Sequence, residues 1–197
     1  MRSNSISLIK SLFKRPSFTT AEALDRGVNS SLLSYYAHKG YIEKISRGVY
    51  RGLESKRNEV PFEWEDLIAT VQSIPDGRVC LISALALYDL TDEVPRQFWI
   101  AVPHKMFAPK RPQTRIVRMR DIGTGAELLK LGSVKIRVFN KERTIVDAFR
   151  FLSPETAIKA LKRYLSGKHG KPDLVKLRKY SIKLNMPIHT YVEALTT

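Results

Sequence analysis

The chain of 197 residues carries 34 Lys and Arg against 19 Asp and Glu, a formal charge of +15, and 43% hydrophobic residues. That apolar share suffices for packed cores and excludes a wholly disordered chain, while the charge points to a polyanionic partner, either nucleic acid or an anionic membrane surface. No apolar run approaches the roughly 20 residues that span a bilayer, and the N-terminus is broken by Ser and Lys where a signal peptide would be apolar, so a membrane route lacks support.

Charge is partitioned along the chain. Residues 1–57 hold 11 Lys and Arg against 4 Asp and Glu, a net +7; residues 58–100 hold 2 against 8, a net −6; residues 101–197 hold 21 against 7, a net +14. The polar stretch "GLESKRNEVP", residues 52–61, keeps no period and ends in proline. It reads as a linker between a basic N-terminal module, 1–57, and a larger C-terminal one, 58–197. No internal repeat or low-complexity tract interrupts either.

In "SISLIKSLFK", Ile6, Ile9, Leu12 and Phe13 fall at helical spacing, and Pro16 stops the helix. "SFTTAEALDRG" offers Thr19 or Thr20 as N-cap, Glu22 in the first turn, Ala23 and Leu24 facing inward and Gly27 as the stop, a helix of about two turns. Asn29 or Ser30 then caps a third helix with Leu33, Tyr36 and Ala37 inward, ending at Gly40. Helix, glycine turn and helix make a helix-turn-helix. "YIEKISRGVYRG" follows as a hairpin: Ile42 and Ile45 on one strand, a turn at Ser46-Arg47-Gly48, and a return through Val49 and Tyr50, a wing with a basic tip.

In the C-terminal module a helix is expected over 62–73, a strand at "RVCLI", a buried helix at "SALALYDL", and strands at "QFWIAVP", "TRIVRMRD" and "VKIRVFN". The single cysteine, Cys80, excludes an intramolecular disulfide framework and fits a reducing cytoplasm; its apolar run makes it a buried filler rather than a nucleophile. Helices follow over 142–152, 154–166, 173–184 and 190–195, with Ser153 and Pro154 as a start signal. The expected fold class is α+β, an N-terminal winged helix-turn-helix followed by a larger mixed α/β domain ending in helices.

Two sets of residues carry a family resemblance. "FTTAEALDRGVNSSLLSYYAHKGYIEKISRGVYR" is similar to the winged helix-turn-helix of AbiEi-type antitoxins, the regulator half of AbiE, type IV, toxin-antitoxin systems of bacteria. "ISALALYDLTDEVP", "IRVFNKERTIVDAFRF" and "ETAIKALKRYL" resemble the corresponding C-terminal blocks, so the likeness runs over nearly the whole chain. The recognition helix departs from relatives in carrying Tyr35, Ser31 and Ser34 where Arg or Lys is common. The resemblance implies an autorepressor that binds inverted repeats in its own promoter, a nucleotidyltransferase-like toxin as functional partner, neutralisation without a stable complex, and a role in phage defence.

The residues agree with that implication. With Leu33, Tyr36 and Ala37 inward, the third helix offers Asn29, Ser30, Ser31, Ser34, Tyr35 and His38 outward. Asn pairs with adenine in the major groove, while Ser, Tyr and Lys39 more often meet phosphates. Arg47 beside Gly48 reaches a phosphate or a narrow minor groove. The alternative is a solvated polar face with a basic turn. In the C-terminal module, Arg118 and Arg120 alternate onto one strand face, and Lys159, Lys162 and Arg163 share a helix face. These surfaces are either solvated or follow DNA flanking the operator, or an RNA, through phosphate contacts.

Catalysis finds little footing in the sequence. Arg143 and Asp147 sit at i, i+4 and read as a structural ion pair. The Gly-Ser of "LGSVKIRV" matches the start of a nucleotidyltransferase signature without the metal-binding carboxylates after it, and is taken as a turn. His38, His104, His169 and His189 lack metal-ligand spacing, and neither a P-loop nor a nucleophile elbow is present. The expectation is a non-enzymatic regulator without metal or cofactor. A nuclease-like enzyme with a winged-helix targeting domain and a stand-alone transcription factor with a ligand-sensing domain are the alternatives.

Overall fold

The computed structural model describes residues 5–15, 17–53, 62–108, 111–132, 134–168 and 170–196. Pro16, Lys110, Ser133, His169 and most of the expected linker lie outside them. By its internal contacts the chain divides into two compact units, residues 1–75 with 129–136, and residues 76–128 with 137–197.

In the first unit, α1 (Ser5–Ile9) runs into a 3-10 turn over Lys10–Lys14. β1 (Phe18–Thr19), α2 (Thr20–Leu24), α3 (Ser30–His38), β2 (Ile42–Ser46) and β3 (Val49–Gly52) follow, and the strands form an antiparallel sheet in the order β1-β3-β2. One cluster joins these elements: Ile9, Leu12, Phe13, Phe18, Ala23, Val28, Leu33, Tyr36, Ile42 and Tyr50 are all buried. The rings of Phe13, Phe18 and Tyr50 stack in series at 6.2 and 6.0 Å. Gly52 is required by this packing, because a Cβ there would lie 2.4 Å from Phe13 Cβ.

Thr19 and Glu22 close a capping box at the start of α2: the Thr19 hydroxyl accepts from Glu22 N at 3.2 Å and Glu22 Oε2 accepts from Thr19 N at 2.8 Å. The helix is shorter than the two turns expected. Gly27, at φ +80°, and a bond from Val28 N to Ala23 O turn the chain after Leu24, so Val28 takes the inward place and Leu24 is 60% exposed. Asn29 caps α3, and Gly40 at φ +72° with Tyr41 N donating to Tyr36 O ends it.

A fourth helix, α4 (Phe62–Gln72), also belongs to this unit. Arg51 donates to Glu65 at 2.9 Å, and the buried Ser17 hydroxyl donates to Gln72 at 2.8 Å. The compact N-terminal unit therefore extends beyond residue 57, where composition alone placed the boundary.

The larger sheet is ordered β6-β5-β4-β8-β7, from β4 (Arg78–Val79), β5 (Phe98–Pro103), β6 (Thr114–Met119), β7 (Ala126–Leu131) and β8 (Val134–Phe139). β5 and β6 run parallel in continuous register from Phe98↔Thr114 to Pro103↔Met119. β4 pairs antiparallel with β5 and parallel with β8, through Val79↔Val138. The strand expected over 78–82 is only two residues long, because Leu81 turns to φ +48° and opens α5 (Leu81–Leu87). Cys80 at that junction is fully buried, and burial pushes its thiol well above the ordinary range, in keeping with a filler. β7 has no counterpart among the expected strands. Its sequence, "AELLKL", consists of helix formers, and sheet pairing overrides that preference.

Helices α6 (Lys141–Phe151), α7 (Pro154–Leu165), α8 (Leu174–Lys183) and α9 (His189–Thr196) complete the unit. Asn140, Ser153 and Asp173 cap the first three, each accepting from the backbone N–H three residues on, at 3.0, 3.1 and 2.8 Å. The segment "ERTIVDAFRF" is a packing hub. Arg143, with no exposed surface, donates from Nε to Asp147 at 2.7 Å and from its terminal nitrogens to the carbonyls of Thr124 at 2.9 Å and Asp121 at 3.0 Å. Asp147 also accepts from Arg150 at 2.6 Å, and Glu142 accepts from the Tyr164 hydroxyl at 2.8 Å. Gly125, at φ +69°, lets the loop close on this arginine, since a Cβ there would stand 2.4 Å from Arg143 Cβ. Arg143 and Asp147 thus form the structural ion pair read from their spacing.

Candidate nucleic-acid interface

Burial of Leu33 and Tyr36 fixes which side of α3 faces out. Asn29, Ser30, Ser31, Ser34, Tyr35, His38 and Lys39 are all exposed, and Ser30, Ser31, Ser34, Tyr35 and His38 follow one another along a single helical stripe. No carboxylate lies on it. Lys39 Nζ stands 6.0 Å from the centre of the Tyr35 ring, so the stripe ends in a cation resting on an aromatic edge of the helix. Asn29 Oδ1 accepts from Leu32 N at 3.0 Å, which engages its carbonyl in capping and leaves the amide NH2 as its outward donor.

The wing is held against the helix-turn-helix by the backbone. Ser46 pairs with Val49, leaving Arg47 and Gly48 as a two-residue turn, with Gly48 at φ +78° where a side chain would be strained. Gly48 O accepts from Thr20 N at 2.9 Å and from the Thr20 hydroxyl at 3.3 Å. The first turn of α2 therefore fixes the wing tip, and Arg47 is presented to solvent from a tethered support. A bulge between Lys44 and Ser46 adds twist and leaves Lys44 exposed beside the tip. The sequence reading missed Lys44, although a lysine on a wing strand was the available signal. It also missed the role of Thr20, for which a contact across 28 residues leaves no local trace.

A polar stripe without carboxylates on the second helix of a helix-turn-helix, next to a tethered basic hairpin, is the geometry of a winged DNA reader. Residues 8–51 match the family described as transcriptional regulator, AbiEi antitoxin. The AbiEi match begins within α1 and ends within β3, so it covers the helix-turn-helix and the wing. The chain has no match among curated proteins. The match likens this segment, and not the rest of the chain, to transcriptional regulators of the AbiEi antitoxin kind.

The basic residues of the C-terminal unit separate into two kinds. Lys159 donates to Glu155 at 2.6 Å, and Arg163 donates to Asp92, with Glu93 nearby accepting from the Thr156 hydroxyl at 2.9 Å. Glu155 holds the Lys159 ammonium above its ordinary range by hydrogen bond and charge. The face shared by Lys159, Lys162 and Arg163 is therefore interleaved with carboxylates, which weakens it as a phosphate track. Arg118 and Arg120 are exposed and make no ion pair among the described residues. Among the described residues, no group of three or more His, Cys, Asp or Glu side chains is placed to hold a metal ion, and no helix is long and apolar enough to cross a membrane.

Proposed function

We propose that the chain represses its own operon by binding inverted repeats, with α3 in the major groove and Arg47 of the wing on the adjoining backbone or minor groove, and that it counters a nucleotidyltransferase-like toxin through its C-terminal unit. The observation that carries the DNA half is the uncharged-to-basic stripe from Asn29 to Lys39, backed by buried Leu33 and Tyr36. Serine and tyrosine hydroxyls there suit phosphates and base edges alike, and the helix N-terminus favours an anion. The antitoxin half extends the family description to the rest of the chain, in the cytoplasm and without a stable complex with the toxin.

Gel-shift titrations on the chain's own upstream DNA test the reading. The logarithm of affinity falls by about 0.9 per phosphate contact for each log unit of salt, so binding weakens steeply as salt rises. Arg47→Ala lowers affinity for every sequence. Asn29→Ser, which keeps a cap and removes the amide, and Tyr35→Ala instead reduce the preference for operator over random DNA. Equal losses on operator and random DNA for all three variants would remove the base-reading role.

A further inference from the structure

Arg115, on β6, lies with its guanidinium 4.0 Å from the ring centre of Trp99, its register partner on β5. The arginine is exposed while the indole is half-buried against the core cluster of Cys80, Leu81, Ala101, Met119 and Phe139. The cation is thereby in contact with an aromatic support that the core holds in place. β6 is the outermost strand of the sheet; Arg115 is exposed on the face that carries Trp99, Arg118 is exposed on the opposite face, and exposed Arg120 follows directly after the strand. Residues 97–120 contain no Asp or Glu, and among the described residues these three arginines make no ion pair. Arg143, Arg150, Lys159, Arg163 and Lys176 of the same unit are instead matched by carboxylates. Three cations without a carboxylate partner among the described residues thus stand at one strand edge, beside an aromatic ring.

Trp99 also lines a cavity of about 610 Å3 together with Ile82, Arg96, Gln97 and Leu152. Apolar walls with an exposed guanidinium and amide are the chemistry that accepts a heteroaromatic ring edge-on. Glu93 lines the cavity too and is held by Thr156, so its charge repels phosphate from the interior while the arginines of β6 attract phosphate outside. Bases and backbone are sorted to different places.

We propose that the β5–β6 edge of the C-terminal unit is a binding site for single-stranded nucleic acid, in which one base stacks on the Arg115–Trp99 pair and the backbone passes round the outer edge of β6 to Arg118 and Arg120. A duplex keeps its bases stacked inside and offers no free ring to this platform, so the site prefers single strands. It is separate from the winged-helix surface and adds to the proposed operator binding.

The test uses the full chain with Trp64→Phe, which leaves Trp99 as the sole tryptophan. An oligouridine of about twelve nucleotides quenches its fluorescence saturably. Arg115→Lys keeps the charge and removes the plane, and weakens binding roughly tenfold while operator-duplex affinity stays within about twofold. Arg118→Ala with Arg120→Ala keeps the quenching but reduces the salt slope by about 1.4, the value for two single-strand phosphate contacts. Absence of saturable quenching in the folded Trp64→Phe chain, unchanged binding by a folded Arg115→Lys variant, or equal displacement by random duplex at equal phosphate concentration would each overturn the proposal. Failure of the operator reading has a different signature: lost operator preference with oligouridine binding intact.

Discussion

Asp121 accepts from the backbone N–H of Thr124 at 2.8 Å and from its hydroxyl at 2.6 Å, with Arg143 at 3.9 Å and Lys183 at 3.8 Å. Partial burial acts to raise its pKa, yet those hydrogen bonds and the two cations hold the carboxyl below the ordinary value of 3.8. A carboxyl depressed in the folded state contributes stability that is fully present above its unfolded value and disappears as pH falls through the folded one. Urea melts from about pH 6 down to about pH 3 are therefore expected to show a falling midpoint below about pH 4, and Asp121→Asn to flatten that fall. The same slope in both proteins would mean that other carboxylates carry it. The Arg143 guanidinium is fully buried and bonded on all three nitrogens, so it acts as a rigid post for the loop ahead of β7.

At the scale of elements, α3 must satisfy a core and the proposed DNA surface with neighbouring residues. Leu33→Ala is expected to cost about 2 to 5 kcal/mol, and Ser34→Ala, on the opposite side, less than about 0.5 kcal/mol. Thermal melts rank the two, and the reverse order would show that the helix faces the other way. This helix was legible in the sequence because its cap, its inward residues and its glycine stop agree with one another, and the same holds for the wing and for α6 and α7. Where local signals compete with tertiary packing, the reading fails. Leu24 continues an apolar pattern that the Gly27 turn cuts short, β7 is composed of helix formers, and Leu81 leaves the strand to which its β-rich neighbours pointed. All eight candidate residues of the helix-turn-helix and wing are exposed, since exposure follows from period alone. The neutralisation of Arg163 by Asp92 is a contact across 71 residues, and no helical wheel reveals it.

At the scale of the molecule, the helix-turn-helix and wing depend on residues beyond the wing. Arg51 and Ser17 both find partners on α4, so a fragment ending at residue 57 loses a partly buried ion pair and leaves a buried hydroxyl unsatisfied. A fragment of residues 1–75 is expected to exceed one of residues 1–57 in stability by about 1 to 3 kcal/mol, and to bind operator DNA with correspondingly higher occupancy near its melting temperature. Denaturant titration of the two fragments measures the difference, and equal midpoints would show that α4 contributes nothing to the first unit.

Residues 129–136 also belong to that first unit, although 53 residues of the second, 76–128, precede them in the chain. The first unit is therefore discontinuous in sequence, and bringing its two segments together closes a long loop whose entropic cost rises only slowly with the length of the excursion.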